Sequence, residues 1–135
     1  MITAIDSNIL IDVVGADPDF GEVSRSAIDM AAREGPLVIS PEVVAEFATG
    51  CGSAEVAFDV LEVLKISYVD TGLTAAGRAG EARGLRRTRS RITADYLIAA
   101  HAAEHADRLL TRDADFAMLG IEGLAVVTPS EILAG

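Results

Sequence analysis

With 135 residues the chain is long enough for one domain, expected over 1–135, with an apolar core that needs neither disulfides nor a structural metal. Half of the residues are hydrophobic, which excludes a disordered chain. A net charge of −10, from 21 acidic against 11 basic residues, argues against a general polyanion-binding surface, because phosphate affinity comes largely from Lys and Arg displacing counterions. The lone cysteine, Cys51, cannot staple the fold and fits a reducing compartment. Met1 to Asp6 has neither the basic region nor the long apolar stretch of a signal peptide, and no apolar run is long enough to cross a membrane, so a soluble cytoplasmic protein is expected.

Ile2 to Ile5 reads as a buried strand, and Asp6-Ser7-Asn8 turns into a short apolar helix through Val14, broken by Gly15 and Asp17-Pro18. Apolar spacing predicts a helix from about Glu22 to Arg33, closed by Gly35-Pro36, and then a strand over Leu37 to Ile39. Ser40-Pro41-Glu42 starts the next helix, with serine as N-cap, proline at the first helical position and an acid in the first turn; this helix carries Glu46 and ends at the glycines flanking Cys51. A helix from about Ala54 to Leu64 leads to a strand over Ile66 to Val69, and Gly72 opens a helix that fades into an arginine-rich run. Thr93 is expected to cap the following helix, with Asp95 in its first turn. Arg108 to Thr111 and Ala125 to Val127 are the last strands, and Ser130 to Leu133 a short terminal helix. Strands joined by helices imply parallel pairing, hence an α/β protein with a three-layer α/β/α sandwich around a parallel sheet of about four to five strands.

In such a sheet the functional crevice lies outside the carboxyl ends of the strands, where residues distant in sequence converge. Asp6 and Asp113 end strands, and Glu46 and Asp95 lie near helix starts, so the four acids suggest a site for a hard divalent cation, which takes oxygen ligands. Each acid also has a plain structural reading. Asp6 could cap the next helix, although a carboxylate at a central strand end is costly without a partner. Glu46 shares a helix face with Glu42, which the helix dipole explains, but Glu46 interrupts the apolar run Val44-Ala45-Glu46-Phe47. Asp95 is an ordinary first-turn acid, and Asp113 and Asp115 are ordinary turn residues.

Between Arg78 and Arg91 the basic residues Arg78, Arg83, Arg86, Arg87, Arg89 and Arg91 accompany one acid, Glu81. Arginine offers a planar fork suited to phosphate, but a solvated loop or a general preference for arginine over lysine gives the same run. His101 and His105, one turn apart, read as a helix-surface pair, since no further histidine or cysteine cluster completes a zinc site. The glycines form no phosphate-cradling loop, no Gly-x-Ser-x-Gly elbow occurs, and Asn8 stands where aspartate-nucleophile phosphatases carry a second acid.

Taken in order, Asp6-Ser7-Asn8-Ile9-Leu10, Ala45-Glu46-Phe47, Thr93-Ala94-Asp95-Tyr96-Leu97-Ile98-Ala99-Ala100 and Leu110-Thr111-Arg112-Asp113-Ala114-Asp115-Phe116 resemble the successive motifs of the PIN-domain nucleases, across nearly the whole chain. The short length most resembles the VapC-type toxins of toxin–antitoxin pairs. The resemblance implies hydrolysis of RNA phosphodiester bonds with Mg²⁺, or Mn²⁺ in its place, leaving a 5′-phosphate and a 3′-hydroxyl. It makes Asp6, Glu46, Asp95 and Asp113 the acidic quartet and Asp115 an extra ligand, leaving open which of Asp113 and Asp115 binds directly. Thr111 would orient a carboxylate or a water, Asn8 would support the Asp6 turn, and either Asp95 or Asp113 would serve as general base. Arg86, Arg87, Arg89 and Arg91 would hold flanking RNA phosphates. A cognate antitoxin and a homodimer are the implied partners. The competing expectation is a non-catalytic acidic α/β module that holds a structural cation or a basic partner peptide, supported by the overall charge.

Overall fold

A computed structural model describes residues 1–85 and 92–135. The arginines assigned to RNA phosphates, Arg86, Arg87, Arg89 and Arg91, therefore lie outside the described residues. Five short strands, β1 (Thr3–Ile5), β2 (Leu37–Ile39), β3 (Ile66–Tyr68), β4 (Arg108–Leu110) and β5 (Val126–Val127), form one sheet in the order β3-β2-β1-β4-β5. Every pairing is parallel, as expected where each connection contains helix. From β1 the chain builds outward to β2 and β3, then returns to place β4 on the other side of β1. The strand order thus reverses between β1 and β4, where open α/β sheets put their ligand crevice.

The helices are α1 (Ser7–Val14), α2 (Gly21–Glu34), α3 (Pro41–Cys51), α4 (Ala54–Val63), α5 (Leu73–Gly84), α6 (Thr93–His105) and α7 (Pro129–Ala134). Start signals in the sequence explain several of them. Ser40 accepts from the Val43 amide with Pro41 at the first helical position of α3, and Gly52 closes that helix in the left-handed region at φ 72°. Gly35 turns α2 into β2 where a Cβ would run into the Met1 backbone. Buried Val43 and Phe47 lie one turn apart on α3 and fix which face meets the core. Phe47 is fully buried, so Phe47→Ala should cost about 3–5 kcal/mol, read as a lower denaturant midpoint at unchanged slope.

Three expectations need correction. Thr93 is not a cap: Ile92 holds the N-cap position of α6 without a side-chain hydrogen bond, and Thr93 is the first helical residue. The isoleucine offers no acceptor, so favourable charge at this helix start falls to Asp95 in the first turn. The terminal helix begins at Pro129 rather than Ser130, because Thr128 and Glu131 form a reciprocal capping box around a proline that suits the first position. His101 is not on a helix surface but 1% exposed, its Nε2 2.8 Å from the Val69 carbonyl, while His105 Nε2 lies 2.7 Å from the Thr71 carbonyl. The two rings tie α6 to the segment leaving β3, and burial holds the His101 pKa below its usual value. A two-turn 3₁₀ segment, Ala114–Leu119, follows β4. No helix among the described residues is long and apolar enough to cross a membrane.

Candidate metal centre

The sheet register sets the site. Ile5 of β1 pairs with Leu110 of β4, and the Asp6 amide donates to the Leu110 carbonyl at 3.0 Å, so Asp6 and Thr111 leave the sheet side by side at the strand-order reversal. Asp6 is 4% exposed and Thr111 is fully buried. The Thr111 hydroxyl has one proton and two lone pairs. It accepts from the Asp113 amide at 3.0 Å and from Asn8 Nδ2 at 3.3 Å, so its proton is left for Asp6 Oδ2 at 2.7 Å. Asn8 Oδ1 in turn accepts from the Arg112 amide at 3.3 Å. One hydroxyl and one amide thereby orient the Asp6 carboxylate and the Thr111–Asp113 turn together.

The other oxygen of Asp6, Oδ1, accepts from the Ser7 amide at 2.7 Å, so Asp6 also caps α1. Capping and a ligand role do not compete, since a carboxylate oxygen has a second lone pair. Ser7 Oγ donates to Glu46 Oε1 at 2.9 Å, which brings half-buried Glu46 from α3 against the start of α1. Asp95 lies half-buried in the first turn of α6. Asp113 Oδ1 accepts from the Asp115 amide at 3.0 Å and caps the 3₁₀ segment, and Asp115 is exposed.

Burial pushes the Asp6 pKa above its usual value, and the negative charges of Glu46 and Asp95 push in the same direction, against the hydrogen bonds from Thr111 and Ser7. Glu46 of α3 and Asp95 of α6 therefore both lie within electrostatic reach of Asp6. The Asp113 backbone amide ties its turn to the same Thr111 hydroxyl, and the Asp115 amide donates to the Asp113 carboxylate. Among the described residues no three His, Cys, Asp or Glu side chains form a ready metal cage. The donor set nonetheless fits a hydrated hard cation: Mg²⁺ keeps several waters and takes only one or two protein carboxylates, and a buried acid facing two others gains from any positive charge placed beside it.

Beside this cluster lies a second ionic group absent from the sequence reading. Asp12, 3% exposed, receives Arg112 Nε at 2.6 Å and Nη2 at 3.1 Å, together with the Ser24 hydroxyl at 2.9 Å. The guanidinium carbon sits 4.1 Å from the centre of the Phe20 ring. Asp12 interrupts Ile11-Asp12-Val13-Val14 just as Glu46 interrupts its own apolar run, and that signal could have found it.

The sequence model of the PIN domain matches residues 3–122. No curated protein is similar enough in sequence to match. Among solved structures, a toxin–antitoxin complex from Klebsiella pneumoniae is 26% identical, with 94% of this chain and 97% of that chain covered at a TM-score of 0.67. VapBC2 from Rickettsia felis, solved on a DNA fragment of its promoter, is 24% identical over 95% and 98% of the two chains at a TM-score of 0.69. Mycobacterium tuberculosis VapC20, a sarcin-ricin loop cleaving toxin, is 15% identical over 91% and 98% at a TM-score of 0.68.

Proposed function

Because the chain belongs to the PIN-domain family, matched over 3–122, we propose that it is a metal-dependent endoribonuclease, a single catalytic domain over 1–135, and the toxin of a type II toxin–antitoxin pair. The observation that carries the reading is a buried Asp6, fixed by Thr111 at the strand-order reversal and burdened by the charges of Glu46 and Asp95. Such a carboxylate is an expensive way to cap a helix and a suitable way to hold a cation.

In this reading Asp6, Glu46, Asp95 and Asp113 would hold Mg²⁺ or Mn²⁺, with Asp115 as a further ligand. When bound, the cation makes a water more acidic and offsets the charge that builds on the phosphoryl oxygens. The protein's own work is positional. Thr111 and Ser7 fix both oxygens of Asp6, Asn8 holds Thr111 and the Arg112 amide in register, and Ser7 keeps Glu46 turned toward the cluster. Asp95 or Asp113 removes a proton from the attacking water, and in-line attack leaves a 5′-phosphate and a 3′-hydroxyl. Similarity to toxin–antitoxin complexes supports a cognate antitoxin as protein partner; a homodimer and a cytoplasmic setting are proposed with it. Incubation of purified RNA with the protein tests the activity: cleavage with Mg²⁺ that stops with EDTA supports it, and no cleavage of any RNA with either metal contradicts it.

Arg86, Arg87, Arg89 and Arg91 are proposed to hold flanking phosphates. Their joint replacement by glutamine should weaken RNA binding across unrelated sequences and reduce the salt dependence by about 0.7 in logarithmic slope per lost single-strand contact. Titrations at several salt concentrations on an Asp6→Asn background measure this, and an unchanged slope assigns the run to a solvated loop or to antitoxin contact.

A further inference from the structure

Outside the carboxylate cluster, a cavity of about 350 Å³ opens between the start of α2, the Arg112 turn and the start of α7, a size within the range of small-ligand sites. Phe20, Val23, Ser24, Arg112, Thr128 and Ser130 line it, with Pro129 between the last two. Arg112 follows Thr111 and precedes Asp113, so the cavity begins where the carboxylate site ends, at the carboxyl ends of β4 and β5. Phe20 is 43% exposed at the cavity wall, with the Arg112 guanidinium over its ring.

The chemistry of the lining selects the occupant. Arg112 is not free to clamp a phosphate: two of its nitrogens are committed to buried Asp12, whose charge cancels its own. What the pair presents is a flat, charge-compensated guanidinium stacked on an aromatic ring and locked in orientation from behind. Unpaired bases of single-stranded RNA stack on aromatic rings and on arginine planes. The Thr128 hydroxyl is used by its own helix cap, bonding Glu131, whereas the exposed Ser130 hydroxyl makes no hydrogen bond among the described residues and can meet a base edge. Ser24 is fully buried and donates to Asp12, holding the carboxylate that orients the guanidinium.

We propose that this cavity receives one unpaired base of the RNA strand, from a nucleotide adjoining the phosphate held at the Asp6 cluster, and so sets base preference at the cut. The proposal rests on the ribonuclease reading for the identity of the strand. It also supplies what the arginine run cannot, since phosphate contacts position a strand without reading its bases.

The test is binding of short single-stranded RNAs that each carry one abasic position, measured in EDTA and on the Asp6→Asn background so that the strand stays intact. With the wild-type pocket, one abasic position should weaken binding by about tenfold and the others much less. Ser130→Trp, which fills the cavity from its exposed rim, and Phe20→Ala, which removes its aromatic wall, should each weaken the intact RNA by about tenfold and no longer sense that position. Equal effects at all abasic positions, or variants that keep the wild-type pattern, overturn the pocket, as does a Ser130→Trp effect confined to binding of a protein partner. Cleavage with Mn²⁺ is followed in parallel. RNA cut by wild type without any single sensitive position overturns the pocket alone; a sensitive position without cleavage overturns hydrolysis alone and leaves the pocket standing; no RNA binding overturns both.

Discussion

Asp6→Asn, Glu46→Gln, Asp95→Asn and Asp113→Asn should each abolish RNA cleavage, a loss beyond the roughly 10–100-fold that follows from disturbing only the partners of a metal's ligands. Glu46→Gln is the cleanest of the four. Glutamine keeps a carbonyl oxygen for the Ser7 hydroxyl, and it removes one of the charges that raise the Asp6 pKa. The variant should therefore match or exceed the stability of the wild type in EDTA while losing activity. Asp6→Asn is less clean, because both oxygens of Asp6 accept hydrogen bonds and an amide keeps only one acceptor. Loss of that bond costs about 0.5–1.5 kcal/mol and opposes the relief from removing a buried charge. Melting curves beside initial cleavage rates separate the two readings of each acid. An Asp95→Asn protein with full activity and lowered stability would make Asp95 a helix-dipole residue and leave three acids at the site.

Mn²⁺ or Mg²⁺ should stabilise the folded chain by about 2.7 kcal/mol at a hundredfold excess over its dissociation constant, as any ligand confined to the native state does. The pH dependence follows from Asp6. Its pKa is raised on folding, so the folded state binds a proton more tightly than the unfolded one. The resulting contribution is fully present below the ordinary value of 3.8 and is lost as pH rises through the higher folded value. In EDTA the difference in stability between wild type and Asp6→Asn should therefore move against the wild type as pH rises through that window. Mn²⁺ competes with the proton for the same oxygens and should restore the wild type at neutral pH while leaving Asp6→Asn nearly unmoved. Melting midpoints across pH with EDTA and with Mn²⁺ check both halves. A metal response that survives in Asp6→Asn would move the cation elsewhere.

The strands and most helices were legible because local signals and burial agree. Leu37 to Ile39 is wholly buried as its apolar run implies, and Ser40-Pro41 starts α3 as its chemistry dictates. The parallel sheet followed from the alternation alone, but the strand order did not, since no local residue pattern says that β4 returns beside β1 rather than extending beyond β3. Within the site, the resemblance named Thr111 and Asn8, yet the direction of the Thr111 proton depends on three partners brought together from β1, α1 and the turn after β4. Ser7 looks like a turn residue after an aspartate, and nothing local announces its bond to Glu46, which spans 39 positions. Asp12 stands out in its apolar run, but its partner does not: Arg112 is ordinary in its turn, and only packing joins the two across 100 positions. A histidine on an alanine-rich helix gives no sign of the carbonyl that meets it, so the burial of His101 is not legible in its segment.

The most direct measurement is the chemistry of the cut ends from one defined single-stranded RNA, treated with Mn²⁺ and either wild type or Glu46→Gln. Water attacking in line at a cation held by Asp6, Glu46, Asp95 and Asp113 predicts 5′-phosphate and 3′-hydroxyl ends from the wild type, none with EDTA, and none from the variant over the same time. Ends carrying a 2′,3′-cyclic phosphate, or cleavage that persists in EDTA, would place the nucleophile on the RNA itself and contradict the account.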